Sequence, residues 1–307
     1  MRIDNEMNNK FIDIERRIVR SWNVYSIKDR LLRRDRNEVK VRKIETSDGK
    51  YYKHIKITKK GIGSRYQMYI ERARECLSSY TDSDCVPKLI YADSEQLLVN
   101  WIDGTPMHLL NMEKQDYLDL GRFTASSLRE FKLKSVQQII MHLDSQLFIL
   151  GRENVLDKTL IKNITSILNE KAIQHDTVEE CICFGDTAHM NFLRDKDGFY
   201  HYIDIFGIYR APIGRIFAKQ ITAIPLSFRK AFAHAYRQSL PYSGIRLDIP
   251  FYYLIYLIDR IYDKCNKTKL FSNRSGKKKL KVAKNNLEGY IKAAPKEKDL
   301  TEWIMNI

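Results

Sequence analysis

The sequence has few cysteines and no long apolar run, and these absences exclude several classes of protein. It holds 5 cysteines in 307 residues, an odd number without closely set pairs, so we expect reduced thiols rather than a disulfide framework. Cys181 and Cys183 lie two positions apart, so they lack the CxxC spacing of a zinc or redox site. The sequence contains no run of about 18 apolar residues, the length that a transmembrane helix needs. Residues 1–6 lack the apolar core of a signal peptide, and we expect a cytoplasmic protein.

Acidic residues are also scarce relative to basic ones. The chain has 38 Asp and Glu against 53 Lys and Arg, a formal net charge of +15. Such a charge attracts polyanions such as nucleic acid, an anionic membrane surface or a phosphorylated glycan, although a solvated lysine-rich surface is the alternative. The densest basic run is 277–281, followed by Lys284, and it is a candidate for peripheral contact with an anionic membrane or for a solvated segment. Without a zinc finger, an RNA-binding strand motif or a helix-turn-helix, nucleic acid is not an expected partner.

Chemistry-bearing residues are concentrated near the middle of the chain. An apolar, β-prone segment at 181–184 is followed by Asp186 and Asn191, and a second such segment at 200–203 is followed by Asp204. The turn signal Arg194–Gly198 lies between the two segments, so a hairpin would place all three side chains around one cleft. Carboxylate and amide oxygens are hard donors that suit a Mg²⁺-nucleotide site, and one carboxylate can orient a hydroxyl and accept its proton. The alternative is that Asp and Asn are here as turn formers.

The pattern Asp186-x-x-x-x-Asn191, followed by Ile203-Asp204, resembles the catalytic and metal-binding segments of the aminoglycoside phosphotransferase/choline kinase group of protein-kinase-like enzymes. The resemblance implies that Asp186 is the catalytic base and that Asn191 and Asp204 are the metal ligands. That family usually reads His-Gly-Asp, and this chain has Phe184 in place of the histidine, a residue with mainly a scaffold role.

The resemblance also implies a lysine for the α- and β-phosphates and a glutamate that holds it. Alternating apolar residues predict a hairpin over 39–57 with its turn at 47–49. Lys56 fits the apolar-Lys-apolar pattern of the family best, and Lys53 is the alternative because a register slip would exchange the faces. On the following helix, predicted at 65–80, Glu71 matches the family spacing better and Glu75 is the alternative. Exposed lysines and exposed glutamates paired with neighbouring arginines are the other interpretation.

The segment 96–104 resembles the family's hinge strand. The backbone groups of Asn100, Trp101 and Ile102 would meet the adenine edge, and 104–106 would mark the boundary between lobes. Two features depart from the pattern. The glycine-rich loop of protein kinases is replaced by 33–37, and Gly214 or Arg215 stands where a bracing aspartate is common, so Arg210 and Arg215 are candidates for binding an anionic acceptor.

The remaining patterns predict helices. Apolar spacing at Phe11, Ile14, Ile18, Trp22 and Ile27 predicts an N-terminal helix over 8–34. Further amphipathic segments predict helices at 111–131, 135–150 and 157–173, and the chain beyond 218 is expected to be mainly helical.

Taken together, the sequence predicts an α+β fold of the two-lobed protein-kinase-like type. The expected domains are a mainly β N-terminal lobe over 1–104 and a helical C-terminal lobe over 105–307 that contains the catalytic loop. The expected function is an ATP- and Mg²⁺-dependent phosphotransferase that acts on a hydroxyl of a small molecule or envelope glycan, with an anionic acceptor suiting the charge. The alternative is a catalytically inactive kinase-like module with a polyanion-binding basic surface.

Overall fold

The computed structural model describes residues 2–23, 39–57, 63–174, 176–242, 244–271, 274–294 and 300–306. The chain divides into two compact units. The first comprises Met1–Glu113 and Ile182–Arg210, and the second comprises Lys114–Cys181 and Ala211–Ile307. The division therefore falls after Glu113, where a boundary near residue 104 was expected, and the segment with Asp186 and Asp204 belongs to the first unit.

The first unit is built on an antiparallel sheet with the strand order β1-β2-β3-β5-β4. Its strands are β1 (Ile18–Asn23), β2 (Val39–Thr46), β3 (Tyr51–Ile57), β4 (Leu89–Ala92) and β5 (Gln96–Asn100). The predicted hairpin over 39–57 is confirmed, and its turn contains Gly49 at φ 73°, a conformation that glycine adopts without strain. Helix α2 (Gly63–Ser78) follows β3.

The N-terminal helix is shorter than predicted. Helix α1 spans Arg2–Arg17, and the chain then enters β1, so the prediction of a helix through Ile18 and Trp22 is wrong. Ile18–Asn23 is rich in β-branched and aromatic residues and pairs with β2, where Trp22 lies opposite Lys43. This long-range pairing overrides the helical spacing. The rest of that predicted helix, residues 24–34, lies outside the described residues.

One face of the sheet is covered by α1. Phe11 and Ile14 of the helix form a buried cluster with Ile44 and Leu98 of the strands, and the Phe11 ring stacks on that of Tyr91 at 4.4 Å. Because side chains alternate along a strand, residues next to Ile44 and Leu98 project to the opposite face of the sheet. Lys53 of β3 projects to that opposite face.

A smaller sheet completes the first unit. It has the order β10-β9-β6, with β6 (Thr105–Pro106), β9 (Phe192–Arg194) and β10 (Tyr200–Tyr202). The predicted turn between β9 and β10 is confirmed, with Gly198 at φ 88° and its N–H donating to the Asp195 carbonyl at 3.2 Å. The hairpin places residues 186–191 and 203–207 at neighbouring ends of its strands.

The second unit is mainly helical. Its described helices are α3 (Lys114–Ser126), α4 (Val136–Arg152), α5 (Lys158–Gln174), α6 (Ile213–Ala223), α7 (Leu226–Gln238), α8 (Ile249–Phe271), α9 (Arg274–Ala293) and α10 (Leu300–Asn306). The helices predicted at 135–150 and 157–173 are confirmed within two residues, whereas the one predicted at 111–131 ends at Ser126. Strands β7 (Arg129–Ser135), β8 (Thr177–Phe184) and β11 (Ile208–Pro212) form a sheet in the order β11-β8-β7.

Close helix packing in this unit depends on small residues. A Cβ at Gly121 of α3 would lie 2.6 Å from the Phe232 carbonyl of α7, so only glycine lets these two helices approach so closely. The antiparallel sheet of the N-terminal region and the helical C-terminal region confirm the predicted α+β class. Within the described residues, no helix is both long and apolar enough to cross a membrane.

Candidate active site

The three polar residues singled out in the sequence lie together in the first unit. Asp186 follows β8, Asn191 ends the short 3-10 helix His189–Asn191, and Asp204 precedes another, Ile205–Gly207. The Asn191 side-chain amide donates to the Asp186 carbonyl at 3.1 Å and lies 3.5 Å from Asp204 Oδ2. Asn191 is buried, whereas both aspartates are half-buried. The buried Asn191 amide thus links the backbone of Asp186 to the carboxylate of Asp204.

Glycine at position 207 is required by this arrangement. A Cβ there would lie 2.9 Å from Asp204 Oδ2 and 3.2 Å from Asp186 Cβ. Both aspartate side chains therefore border the same glycine, which keeps the space between them open.

The oxygens here fit a hard divalent cation. The Asn191 nitrogen is engaged with Asp186, which leaves the Asn191 oxygen and the Asp204 carboxylate as the donors that suit a Mg²⁺ ion. No group of three or more His, Cys, Asp or Glu residues that could hold a metal occurs in the described part of the chain. A site with two protein donors is what Mg²⁺ uses when waters and substrate phosphates supply the other ligands.

Two cations hold the backbone on either side of Asp204. The Lys53 ammonium donates to the Ile203 carbonyl at 3.2 Å, and the Arg72 guanidinium donates to the Phe206 carbonyl at 2.8 Å. Charge-assisted hydrogen bonds of this kind are stronger than neutral ones. The segment that carries Asp204 is therefore fixed to strand β3 and to helix α2.

The register of β3 separates the two candidate lysines. Lys53 lies opposite Lys43 and Val99, whereas Lys56 lies opposite Lys40 and Gln96 on the other face of the strand. Lys56 is exposed, and Lys53 is half-buried with its ammonium on the carbonyl of Ile203, the residue before Asp204. Of the two candidates, Lys53 is the one that the structure places at the Asp204 segment.

Helix α2 does not present its candidate glutamates to this cluster. Glu71 and Glu75 are both exposed and line a surface groove of about 1060 Å³ together with Arg74 and Asp93. Arg72 is the residue of α2 that reaches the Asp204 segment. The sequence interpretation missed this role because it treated Arg72 only as a partner for exposed glutamates.

Arg72 is also held by aromatic rings. Its guanidinium lies 5.0 Å from the Tyr69 ring centroid and 5.3 Å from that of Tyr209, both within the range of cation–π contacts. Ile70, Ala73 and Leu77 of α2 are buried, and Arg72 lies next to this apolar stripe.

The peptide of Asp186 is bonded to a buried tyrosine. The Tyr202 hydroxyl donates to the Asp186 carbonyl at 3.0 Å and accepts from the Asp186 N–H at 3.3 Å. The Tyr202 ring stacks on Phe184 with centroids 4.3 Å apart and planes 7° apart. Burial, reinforced by the negative charges of Asp204 and Asp186, raises the pKa of Tyr202 well above its ordinary value. The hydroxyl is therefore neutral and acts as both donor and acceptor.

Gly185 is packed against a second tyrosine. The Tyr209 hydroxyl donates to the Gly185 carbonyl at 3.3 Å, and a Cβ at Gly185 would lie 1.9 Å from a ring carbon of Tyr209. No real Cβ contact is that short, so a side chain at this position would displace the ring or the backbone before Asp186.

Gly185→Ala should therefore destabilise the protein by about 1–3 kcal/mol, the usual cost of overpacking. Gly289→Ala is the matched control, since a Cβ there meets no atom within 4 Å, and on helix α9 it should be neutral or slightly stabilising. Urea denaturation of both variants measures the difference. Equal stability of the two variants would contradict the close packing of Tyr209 on Gly185.

The predicted hinge continues β5. The Asn100 N–H donates to the Lys88 carbonyl and the Trp101 N–H donates to the Tyr51 carbonyl, each at 3.0 Å. The ammonium of Lys43 lies 4.1 Å from the Tyr51 ring centroid and 4.4 Å from that of Trp101. The sheet face that carries Lys53 thus also carries half-exposed aromatic rings next to the hinge. Ile102 is half-buried just beyond the strand.

The position of the expected bracing aspartate lies in the second unit. Gly214 is packed against Tyr252, where a Cβ would lie 2.1 Å from the ring. Arg215 makes an ion pair of 2.5 Å with Asp259, which also accepts a hydrogen bond from Gln146 at 3.1 Å. The guanidinium that was a candidate for binding an anionic acceptor is therefore engaged with a carboxylate.

Comparison with solved structures shows that the chain has the fold of protein-kinase-like phosphotransferases. It matches choline kinase LicA from Streptococcus pneumoniae with a TM-score of 0.60 at 12% identity, over 93% of this chain and 99% of that one. It matches macrolide 2'-phosphotransferase MphH from Brachybacterium faecium with a TM-score of 0.59 at 11% identity, over 86% and 91% of the two chains. ADP-bound aminoglycoside phosphotransferase APH(2'')-Ib gives a TM-score of 0.58 at 12% identity, over 94% and 97%.

Sequence comparisons add nothing to this assignment. No protein-family model matches the chain, and no curated protein matches it either. At 11% to 12% identity the structural likeness establishes the fold, and the function has to be argued from the site.

Proposed function

We propose that the chain is an ATP- and Mg²⁺-dependent phosphotransferase that moves the γ-phosphoryl group of ATP to a hydroxyl group. One observation carries this proposal: within a phosphotransferase fold, the Asn191 amide lies 3.1 Å from the Asp186 carbonyl and 3.5 Å from the Asp204 carboxylate. Two half-buried aspartates linked by one amide supply the groups that proton transfer and phosphate-bound Mg²⁺ require.

Each polar residue then has a role. Asp186 orients the acceptor hydroxyl and takes its proton as the acceptor oxygen bonds to the γ-phosphorus and the bond from that phosphorus to the bridging oxygen of ADP breaks. Asn191 and Asp204 hold Mg²⁺, which when bound neutralises charge on the phosphates. Lys53, whose ammonium lies on the carbonyl of Ile203 next to Asp204 in the chain, binds the α- and β-phosphates.

The nucleotide is assigned to the sheet face that carries Lys53. We place the adenine edge at the backbone of Asn100–Ile102, beside the rings of Tyr51 and Trp101, because a planar base is bound well by an apolar slot with a few backbone groups. Among structures of the same fold, LicA is seen in complex with AMP and APH(2'')-Ib in complex with ADP. These complexes support a nucleotide as the phosphoryl donor.

The acceptor is proposed from charge alone. The chain carries a formal net charge of +15, and Lys277, Lys278, Lys279 and Lys281 are exposed on helix α9. A positive field concentrates anions, so we propose a small hydroxyl compound or glycan, preferably anionic, and a peripheral contact of α9 with an anionic surface. Choline, macrolides and aminoglycosides, which the names of the structures of similar fold give as acceptors, are the comparison compounds for an acceptor screen.

A catalytically inactive, nucleotide-binding module is the second candidate. It is favoured by helix α2, because its candidate glutamates Glu71 and Glu75 are both exposed and Arg72 is the residue that contacts the Asp204 segment. It is opposed by the retained cluster of Asp186, Asn191 and Asp204.

An ADP-release assay separates the two candidates. The native protein and Asp186→Asn are incubated with MgATP and a panel of phosphorylated sugars, neutral sugars, choline and an aminoglycoside. Acceptor-dependent ADP release by the native protein alone, with the phosphorylated product seen by mass spectrometry, is the expected result. Nucleotide binding without release for any acceptor would favour the inactive module.

A further inference from the structure

Tyr202 makes a paired contact with the residue assigned as base. Its hydroxyl donates to the Asp186 carbonyl at 3.0 Å and accepts from the Asp186 N–H at 3.3 Å, so both polar groups of Asp186's backbone meet one oxygen. The side chain is fully buried, at 0% exposure, so water does not compete for these bonds. A hydroxyl held in this way limits rotation of the backbone from which the Asp186 carboxylate projects.

The tyrosine itself is fixed from several directions. Its ring lies flat on Phe184 at 4.3 Å and meets the Phe192 ring edge-on at 5.1 Å, and its N–H donates to the Cys85 carbonyl at 2.8 Å. The hydroxyl has room only because residue 207 is glycine, where a Cβ would lie 2.1 Å from it. The aromatic stack and this glycine leave one position for the hydroxyl.

The same carbonyl of Asp186 also receives the Asn191 amide at 3.1 Å. The backbone of the base is thus linked to a metal-binding residue on one side and to Tyr202 on the other. If the Tyr202 hydroxyl moved, the Asp186 carbonyl would lose one of its two hydrogen-bond donors. The Asp186 N–H would at the same time lose its acceptor.

These contacts lead to an inference that rests on the proposed function and deepens it. We propose that Tyr202 is a positioning residue that holds Asp186 for proton transfer and that Phe184 is the platform on which its ring is stacked. A phenylalanine side chain has no polar group, so Phe184 cannot donate the hydrogen bonds of a histidine. In this chain the polar support comes instead from the hydroxyl of the residue stacked on Phe184.

Tyr202→Phe tests this inference, since it removes the hydroxyl and keeps the ring stack. Loss of a supporting group of this kind typically costs about 10- to 100-fold in activity, so kcat should fall by that factor while the Kd of MgATP stays unchanged. Tyr200→Phe is the control, because Tyr200 lies two residues earlier on the same strand and Arg194 lies over its ring at 5.9 Å. Its kcat should match that of the native protein.

Amide exchange supplies a readout independent of activity. In ¹⁵N-aspartate-labelled native protein the Asp186 N–H should be protected, and in Tyr202→Phe it should exchange faster while the other aspartate amides are unchanged. An unprotected Asp186 amide in the native protein would overturn the inference. So would a Tyr202→Phe kcat equal to the native value, or a loss of kcat accompanied by an equal loss of MgATP affinity.

Failure of the proposed function gives a different result. If the native protein releases no ADP with any acceptor, the phosphotransferase assignment fails, and the catalytic role of Tyr202 fails with it. The exchange measurement still reports whether Tyr202 holds the Asp186 backbone. A protected amide that becomes labile in Tyr202→Phe, together with active native protein and a reduced kcat, supports both proposals.

Discussion

Replacing Asp186 by asparagine should lower kcat by about 10²- to 10⁴-fold, because an amide cannot accept the proton of the acceptor hydroxyl. The change conserves the size of the side chain, and the amide oxygen can still accept the hydrogen bond from the Ala188 N–H, which is 3.3 Å from Asp186 Oδ1. The bonds of the Asp186 backbone to Asn191 and Tyr202 are unaffected. The loss should therefore appear in kcat and in kcat/KM equally, with little change in nucleotide binding.

Steady-state ADP release with an accepted hydroxyl compound measures this effect. Asp197→Asn is the matched control, since Asp197 is an exposed carboxylate in the β9–β10 turn of the same unit. The control should retain the native kcat. A native kcat in Asp186→Asn, or a rate loss explained by weaker MgATP binding, would remove Asp186 from the role of base.

Replacing Lys53 by methionine should weaken MgATP binding by about 10- to 100-fold. A hydrogen bond to a charged group contributes about 1.5–3 kcal/mol, and every 1.4 kcal/mol corresponds to a tenfold change in Kd. Lys53 is the lysine of β3 whose ammonium reaches the Asp204 segment, at 3.2 Å from the Ile203 carbonyl. Methionine keeps most of the length and apolar contact of the lysine stem, so the change removes only the ammonium, with its charge and its bond to the Ile203 carbonyl.

Lys56→Met is the control for this experiment. Lys56 is exposed on the opposite face of the same strand, so its removal changes the net charge by the same amount without touching the site. Isothermal titration with MgATP should give a native Kd for this variant. If Lys56→Met weakens binding and Lys53→Met does not, the assignment of the nucleotide to the Lys53 face is wrong.

The choice between these lysines shows what local sequence leaves undecided. Alternation along β3 predicts that Lys53 and Lys56 project to opposite faces, but not which face meets Asp204. That depends on helix α1, whose Phe11 and Ile14 cover the face carrying Ile44 and Leu98. The contact joins segments far apart in the chain, and the apolar-Lys-apolar pattern around Lys56 does not report it.

The cluster of Asp186, Asn191 and Asp204 could be proposed from the sequence because its members are close together in the chain. Short spacings and one turn signal connect its members, and a β9–β10 hairpin closed by Gly198 is enough to bring them together. Local geometry therefore determines most of this part of the site.

Arg72 and Tyr202 could not be found in this way. The partner of Arg72, the Phe206 carbonyl, is 134 residues away in sequence. In the sequence, Tyr202 has the pattern of an ordinary β-strand tyrosine. Its two hydrogen bonds to Asp186 depend on the absence of a Cβ at Gly207. Both roles arise from tertiary contacts, which single-sequence patterns do not contain.

Thermal unfolding with ATP tests whether Asp204 and Asn191 form a Mg²⁺-nucleotide site. The native protein and Asp204→Ala are each compared without ligand, with ATP and EDTA, and with ATP and Mg²⁺, because a ligand that binds the folded state raises Tm. A Tm increase that requires Mg²⁺ in the native protein and is absent in Asp204→Ala is expected. No increase with any nucleotide in the native protein, or an equal Mg²⁺-dependent increase in Asp204→Ala, would contradict the claim.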